Sequence, residues 1–259
     1  MCSSDLLTIP GDKSISHRAL MLAGIAEGSS RVSGFLESED CLATLRALRA
    51  LGVTIDCPRP QVVEVKGVGI RGLSAPSAPL DMGNAGTAMR LFAGLLAGQA
   101  FDSQLIGDAS LTQRPMERVA APLRAMGAQI ATQAGRPPLH IQGGQTLRPV
   151  DYQMAVASAQ VKSAILLAGL YADGVTAVTE PAVTRDHSER MLRAFGADVK
   201  VDGRRVELRG PAVLRGCAVE VPGDFSSAAF FIIAATLAAE DVVTIRNVGV
   251  MNRDRKSVV

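Results

Sequence analysis

The octet LRALGVTI (Leu48 to Ile55) returns as LRAMGAQI (Leu123 to Ile130) and LRAFGADV (Leu192 to Val199), at steps of 75 and 69 residues. Each copy predicts the same local structure: a helix end, a glycine just beyond it, then an alternating strand. A second landmark interleaves with the first. A polar residue opens a helix of small apolar residues at Ser16, Asn84, Ser158 and Ser226, at steps of 68, 74 and 68 residues. The tetrad Pro10-Gly11-Asp12-Lys13 also recurs as Pro222-Gly223-Asp224-Phe225. Two landmarks with matching spacing identify an internal repeat, and an internal repeat constrains the fold more than any composition does.

The helices of the second landmark are apolar on nearly every side beyond their first turn, so they are expected to be buried. Between them lie β-rich stretches such as QVVEVKGVGI and LHIQGG. The unit is therefore two helices and several strands. Three units together would bury their apolar helices, with sheets covering the outside. Their pseudo-symmetry would point the polar helix starts at one face.

The stretch PGDKSISHRALMLAGIA, residues 10 to 26, says what that face is for. It sets Lys13, Ser14, Ser16, His17 and Arg18 at a helix start, where unpaired backbone N–H groups and the helix dipole favour an anion. A serine cap with two solvated cations is the plainer reading of the same residues. A P-loop is excluded, because that motif needs glycine directly before the lysine and Asp12 stands there.

Composition narrows the class. Apolar residues make up 47% of the chain and aromatic residues only 3%, with no Trp, so the core must be built from Ala, Leu, Val, Ile and Met. A net charge of +2 argues against a nucleic-acid surface. Cys2, Cys41, Cys57 and Cys217 are scattered and form neither a Cys-x-x-Cys nor a Cys/His cluster, which supports neither a disulfide framework nor a zinc site. The longest apolar run, Ala228 to Ala239, is too short to span a bilayer, and the start MCSSDLLTIP lacks the pattern of a secretory signal. The expectation is a cytoplasmic α/β protein with no membrane or nucleic-acid partner.

The ends carry their own expectation. A fourth unit opens at Ser226, but its LRA-x-G element has not arrived by Val259. Residues 254–259 can be encoded by the reverse complement of codons that fit residues 2–6, in the pattern of a sequencing-library adapter read at both ends. Residues 1–6 and 253–259 are therefore expected to be non-native, which the encoding DNA would decide. On this expectation three repeats are whole and a fourth is cut.

Five motifs in register, PGDKSISHRA, GNAGTAMR, GDASLTQRPM, SAQVKSAILLAGL and TRDHSERMLRAFGA, resemble those of the 5-enolpyruvylshikimate-3-phosphate synthase family. The resemblance runs over residues 7 to 252 and is closest to the bacterial class that includes glyphosate-tolerant members. It implies transfer of the enolpyruvyl group of phosphoenolpyruvate to shikimate 3-phosphate with release of phosphate, on the way to chorismate and the aromatic amino acids. It implies no metal or organic cofactor and a monomer at full length. The implied fold is an inside-out α/β barrel: two lobes of three βαβαββ units, helices buried and sheets outside. Residues 12–223 would form the first lobe, and residues 7–11 and 224–252 part of the second.

The resemblance also implies residue roles. Ser14, Arg18, Ser158, Ala159, Gln160 and Arg185 would hold shikimate 3-phosphate. Asn84, Gly86, Arg114 and Gln160 would meet phosphoenolpyruvate. Lys13 would lie between both substrates as the catalytic residue this chain supplies. Read without the family, Gly83 and Gly86 flank an Asn84 that would cap the second buried helix, Arg114 before Pro115 is a surface arginine, and Ser158 and Gln160 cap the third. Many members carry Ser-Ser-Gln where this chain has Ser158-Ala159-Gln160, so one side-chain contact would be lost. Glycine at Gly86 leaves space that in this family goes with glyphosate sensitivity. Arg90, His140 and His187 read as structural, and Lys162 and Ser163 follow the third cap by one turn.

Both substrates are phosphate-plus-carboxylate anions, and Lys13, Arg18, Arg114 and Arg185 would supply the countercharge. The family's remaining acid, base and arginine groups come from the second lobe, so the chain alone is expected to bind weakly and turn over little. The related transferase acting on a UDP-sugar has Lys-Asn at the first motif and a cysteine in the loop matching GDASLTQRPM, and this chain has neither. A non-catalytic binding lobe is the alternative of a different class.

Overall fold

The computed structural model describes residues 6–238 and 243–249. The expected non-native ends, including Cys2, lie outside these residues apart from Leu6. The chain opens with strand β1 (Leu6–Thr8), followed by α1 (Lys13–Gly24), β2 (Glu27–Ser33), α2 (Glu39–Ala50), β3 (Thr54–Arg59) and β4 (Val62–Val68). The next unit is β5 (Leu80–Asp81), α3 (Gly86–Leu96), β6 (Ser103–Ile106), α4 (Glu117–Ala125), β7 (Gln129–Gln133) and β8 (Arg136–Gln142). A third follows with the same order: β9 (Asp151–Gln153), α5 (Ala159–Gly169), β10 (Gly174–Thr179), α6 (His187–Ala194), β11 (Val199–Asp202) and β12 (Arg205–Gly210). Beyond them come β13 (Ala218–Glu220), α7 (Phe225–Ala238) and β14 (Thr244–Arg246).

The three repeats build three four-stranded sheets of identical order: β13-β2-β4-β3, β5-β6-β8-β7 and β9-β10-β12-β11. In each, the first strand runs parallel to the second and the remaining pairs are antiparallel. The first unit borrows its opening strand from β13, far along the chain, at the register Val219 to Val32. That crossover closes the three units into one body. β1 pairs with β14 in a separate parallel ribbon.

Each LRA-x-G octet forms the local structure its sequence predicts. α2, α4 and α6 end just before Gly52, Gly127 and Gly196, whose φ values of 89°, 100° and 93° lie in the left-handed region that only glycine enters freely. The strand follows in all three copies. Strand alternation then separates two faces: Leu139 and Ile141 of β8 are buried while His140 and Gln142 face outward.

The apolar helices α1, α3 and α5 form the centre, and every residue of α3 except Thr87 and Arg90 is buried. Small residues allow close approach. A Cβ on Gly94 of α3 would stand 2.1 Å from the carbonyl oxygen of Ala164 in α5, so those helices meet backbone to backbone. The core is Ala, Leu, Val, Ile and Met with a few Phe, as the composition requires.

Three helix starts differ from the sequence reading. α1 begins at Lys13, and its cap is Asp12, whose carboxylate accepts from Ile15 N at 2.8 Å. Ser16 lies inside the helix and instead accepts from Leu36 N. Asn84 does not cap α3, because the helix starts two residues later behind Ala85, with no side-chain cap. α7 also begins one residue before Ser226. The expectation of a buried apolar helix fails there: Phe230 is 77% exposed and Leu237 81%. α1, α3 and α5 are covered by one another and by their sheets, whereas the described residues give α7 no comparable cover. No described helix is long and apolar enough to cross a membrane.

Candidate functional site

The starts of α1, α3 and α5 converge, as the repeat symmetry demands. A cavity of about 450 Å3 opens between them, lined by Ser14 and Arg18 from α1, Thr87 from α3, the cap Ser158 with Ala159 and Gln160 of α5, Thr184 and Arg185 from the loop before α6, and His187 at the start of α6. The starts of three helices and two guanidinium groups thus address one space, an arrangement suited to an anion.

Arg18 is built into the wall. Its Nε donates to Ser188 Oγ at 2.7 Å, Nη1 to the Ser14 carbonyl oxygen at 2.8 Å, and Nη2 to Ser163 Oγ at 2.8 Å. These acceptors are neutral, so they fix the guanidinium in place without cancelling its charge. Burial pushes its pKa down to about 10, with Glu189 acting in the opposite sense, and the group stays cationic at neutral pH. Ser158 is a cap, accepting from Val161 N at 3.4 Å. His187 is buried, its Nε2 finds no partner among the described residues, and burial, followed by Arg18, lowers its pKa. His187, which reads as structural from the sequence, also lines the cavity.

Gln160 is not a cap. Its Nε2 donates to Thr87 Oγ1 at 2.9 Å and its Oε1 accepts from Arg90 Nη1 at 2.8 Å. Through it the first cavity is joined to a second cluster around Gly86. There Arg114 Nη2 donates to Asn84 Oδ1, and Asn84 Nδ2 donates to Asp108 Oδ2 at 2.9 Å. Asp108 also accepts from Leu111 N at 2.7 Å; that bond first, and the Asn84 amide second, hold its carboxyl below the usual range. A Cβ on Gly86 would lie 2.9 Å from Arg114 Nη1 and 3.2 Å from Arg90 Nη1, so the two guanidinium groups meet over the bare glycine.

Lys13 is the predicted residue that faces elsewhere. Its Nζ pairs with Asp40 Oδ2 of α2 at 3.1 Å and it is half exposed. The structure therefore groups Ser14, Arg18, Ser158, Ala159, Gln160 and Arg185 around one cavity, sets Asn84, Gly86 and Arg114 beside it, and keeps Lys13 on Asp40.

Two further side chains belong to this geometry: Thr87, which the sequence reading does not single out, and Arg90, which it takes as structural. Arg90 stands one turn after Gly86, and a cation placed i+4 from a glycine at a helix start was the available signal. Burial, followed by its neighbours Arg118 and Arg114, lowers its pKa. Lys162 of α5 and Glu180 form a buried pair behind the cavity. A lysine followed by SAILLAGL on a buried helix has to find a partner inside, and Lys162 Nζ lies 2.8 Å from Glu180 Oε2 and 2.6 Å from Glu189 Oε1.

A larger groove of about 760 Å3 lies on the outer face of the β5-β6-β8-β7 sheet, floored by Gln104, Gln129, His140 and Gln142. Its single cation, Arg124, is already engaged by Glu117 and by the Ile130 carbonyl oxygen. It offers an anion nothing comparable to the helix-start cavity.

Comparison with known proteins agrees with this geometry. The family model described as EPSP synthase (3-phosphoshikimate 1-carboxyvinyltransferase) matches residues 3–258. The chain is 59% identical over 254 residues to the 3-phosphoshikimate 1-carboxyvinyltransferase of Alkalilimnicola ehrlichii, covering 98% of this chain and 57% of that protein. It is 57% identical over 254 residues to that of Methylococcus capsulatus, covering 58% of it. A solved EPSP synthase from Acinetobacter baumannii superposes with a TM-score of 0.90 at 54% identity, over 95% of this chain and 56% of the other. The chain thus spans somewhat more than half the length of these relatives, and over that span it belongs to the EPSP synthase family.

Proposed function

We propose that the chain supplies the first half of an active site that transfers the enolpyruvyl group of phosphoenolpyruvate to shikimate 3-phosphate and releases phosphate. The observation that carries this reading is the cavity at the starts of α1 and α5, with buried Arg18 fixed on Ser14, Ser163 and Ser188. Shikimate 3-phosphate would lie there, its phosphate and ring oxygens on Ser14, Arg18, Ser158, Gln160, Arg185 and the backbone at Ala159. Phosphoenolpyruvate would lie over Gly86, held by Arg114, Asn84 and Gln160. Lys13 would reach both substrates on leaving Asp40, a surface pair of the kind that contributes little.

Residues 12–223 make the first lobe on this reading, and residues 7–11 with 224–252 begin the second. The β1–β14 ribbon and α7 fit that division, since the ribbon is a sheet of its own and α7 is largely exposed. Proton transfer to the methylene carbon of phosphoenolpyruvate needs an acid, and proton removal from the attacking hydroxyl needs a base. Those groups would come from the other lobe, so this chain alone binds substrate and turns over little. The full-length protein would work as a cytoplasmic monomer on two small-molecule substrates, as its family suggests.

Calorimetric titration of shikimate 3-phosphate into the chain at low salt tests the reading, with Arg18→Ala alongside. A charge-assisted contact contributes about 1.5–3 kcal/mol, so the variant should bind one to two decades more weakly, on the order of that energy. No binding to a folded chain would defeat the reading.

A further inference from the structure

The mechanism proposed above makes no use of the most expensive feature of the interior. Lys162, Glu180 and Glu189 are each almost completely buried. Burying three charges is no efficient route to stability, since a buried ion pair can often be replaced by well-packed apolar groups at no loss. Its use has to be sought in what it holds together.

Lys162 sits on α5 one turn beyond Ser158, Ala159 and Gln160, which form one wall of the cavity. Glu180 follows the end of β10 and begins the loop that forms the opposite wall, where Thr184 and Arg185 face the same space. The Lys162 Nζ to Glu180 Oε2 contact of 2.8 Å therefore ties one wall to the other from behind. The carboxylate passes the constraint on: its Oε1 accepts from Thr184 Oγ1, and its Oε2 faces Thr184 N at 3.5 Å. Arg185 is the next residue. The other end of the loop is pinned separately, since Ser188 at the start of α6 meets both Arg18 Nε and Ser163 Oγ at 2.7 Å. Glu189 Oε1 takes the remaining face of the ammonium at 2.6 Å.

We infer that Lys162 and Glu180 are positioning residues: their buried ion pair sets the 180–186 loop against α5 so that Arg185 is held at the anion cavity. Neither lines the cavity itself. The inference rests on the assignment of this cavity to shikimate 3-phosphate, but the ordering of the loop can be read without any ligand.

The test compares the full chain with Glu180→Gln, which keeps the shape and removes the charge. Two quantities are read: affinity for shikimate 3-phosphate, and hydrogen exchange of the backbone amides of residues 182–186 in the ligand-free protein. The expected result is binding weakened about tenfold, the scale of one charge-assisted contact, with faster exchange confined to 182–186 while α5 and α6 exchange as before. Unchanged exchange in the loop would overturn the inference, as would exchange that rises equally through α5 and α6, the signature of a general loss of stability. Equal affinity of the two proteins would overturn it too. If Glu180→Gln does not fold, Thr184→Val carries the exchange arm, because it removes only the hydroxyl that Glu180 grips; unchanged loop exchange there defeats the inference, and Thr184→Ser should restore protection. If the unmodified chain fails to bind shikimate 3-phosphate, the functional reading falls, and the exchange comparison still decides whether the ion pair orders the loop.

Discussion

Arg90 of α3 and Gln160 of α5 meet side chain to side chain, Nη1 to Oε1 at 2.8 Å, where the helix-start cavity adjoins the Gly86 cluster. The same carboxamide donates to Thr87, so Gln160 spans both helices from one position. On the proposed assignment, Gln160→Ala should therefore weaken binding of both shikimate 3-phosphate and phosphoenolpyruvate, where a residue confined to one subsite would weaken one. A hydrogen bond to a charged group contributes about 1.5–3 kcal/mol net, so about tenfold or more is expected for each ligand. Separate titrations of shikimate 3-phosphate and phosphoenolpyruvate check this, and a loss restricted to one of them would contradict the bridging role.

Gly86 faces two guanidinium groups with no side chain between them. A methyl there would stand 2.9 Å from Arg114 Nη1, which is too close, but the obstructing atom is the end of a flexible side chain. Gly86→Ala is therefore expected to fold normally and to push Arg114 aside. The expected outcome is weaker binding of phosphoenolpyruvate by about tenfold, the scale of one displaced charge-assisted contact, with shikimate 3-phosphate affinity retained. A melting temperature lowered by many degrees would show that the glycine serves packing instead.

His17 gives the protein a pH dependence of predictable sign. Burial, reinforced by Arg18, lowers its pKa to about 4 from an ordinary 6.5, while Nδ1 bonds Thr44 Oγ1 at 2.7 Å and Nε2 has no partner among the described residues. Between those values the unfolded chain takes up a proton that the folded chain refuses. Stability is then full above about 6.5 and falls as pH drops toward 4, by about 3 kcal/mol in all. His187, lowered by its own burial, acts in the same direction. Urea unfolding from pH 7 to pH 5 should show the decline, and His17→Gln should flatten it by up to about 1.4 kcal/mol per pH unit. An identical slope in the variant would remove His17 as the cause.

The parts of the structure legible in the sequence are those with a local cause. The glycine after each LRA element is needed wherever a helix turns into the next strand, so Gly52, Gly127 and Gly196 announce three identical corners. Residues near a helix start, such as Ser14, Arg18 and Ser158, were placed by the same logic. What stayed hidden depends on pairing across the fold. The first sheet takes its edge strand from Ala218–Glu220, because circular closure supplies a partner that sequence order does not. Asn84 looks like a cap but is claimed by Asp108 and Arg114, from a loop more than twenty residues on. Lys13 has a neighbour, Asp40, that only the packing of α1 on α2 brings near.

α7 combines an almost wholly apolar sequence with large exposure: Phe230, Ile233 and Leu237 all face outward. Exposed apolar surface of this extent favours association, and each such side chain gains about 1.5–3 kcal/mol on burial. The chain is therefore expected to self-associate as concentration rises and to bind an apolar dye. Phe230→Gln with Leu237→Gln should suppress both while leaving the three repeat sheets and the Arg18 cavity intact, because those two side chains contribute nothing to the buried core. Sedimentation across a concentration series, alongside shikimate 3-phosphate titration, separates the two effects. Association that persists undiminished in the double variant would place the sticky surface elsewhere on the molecule.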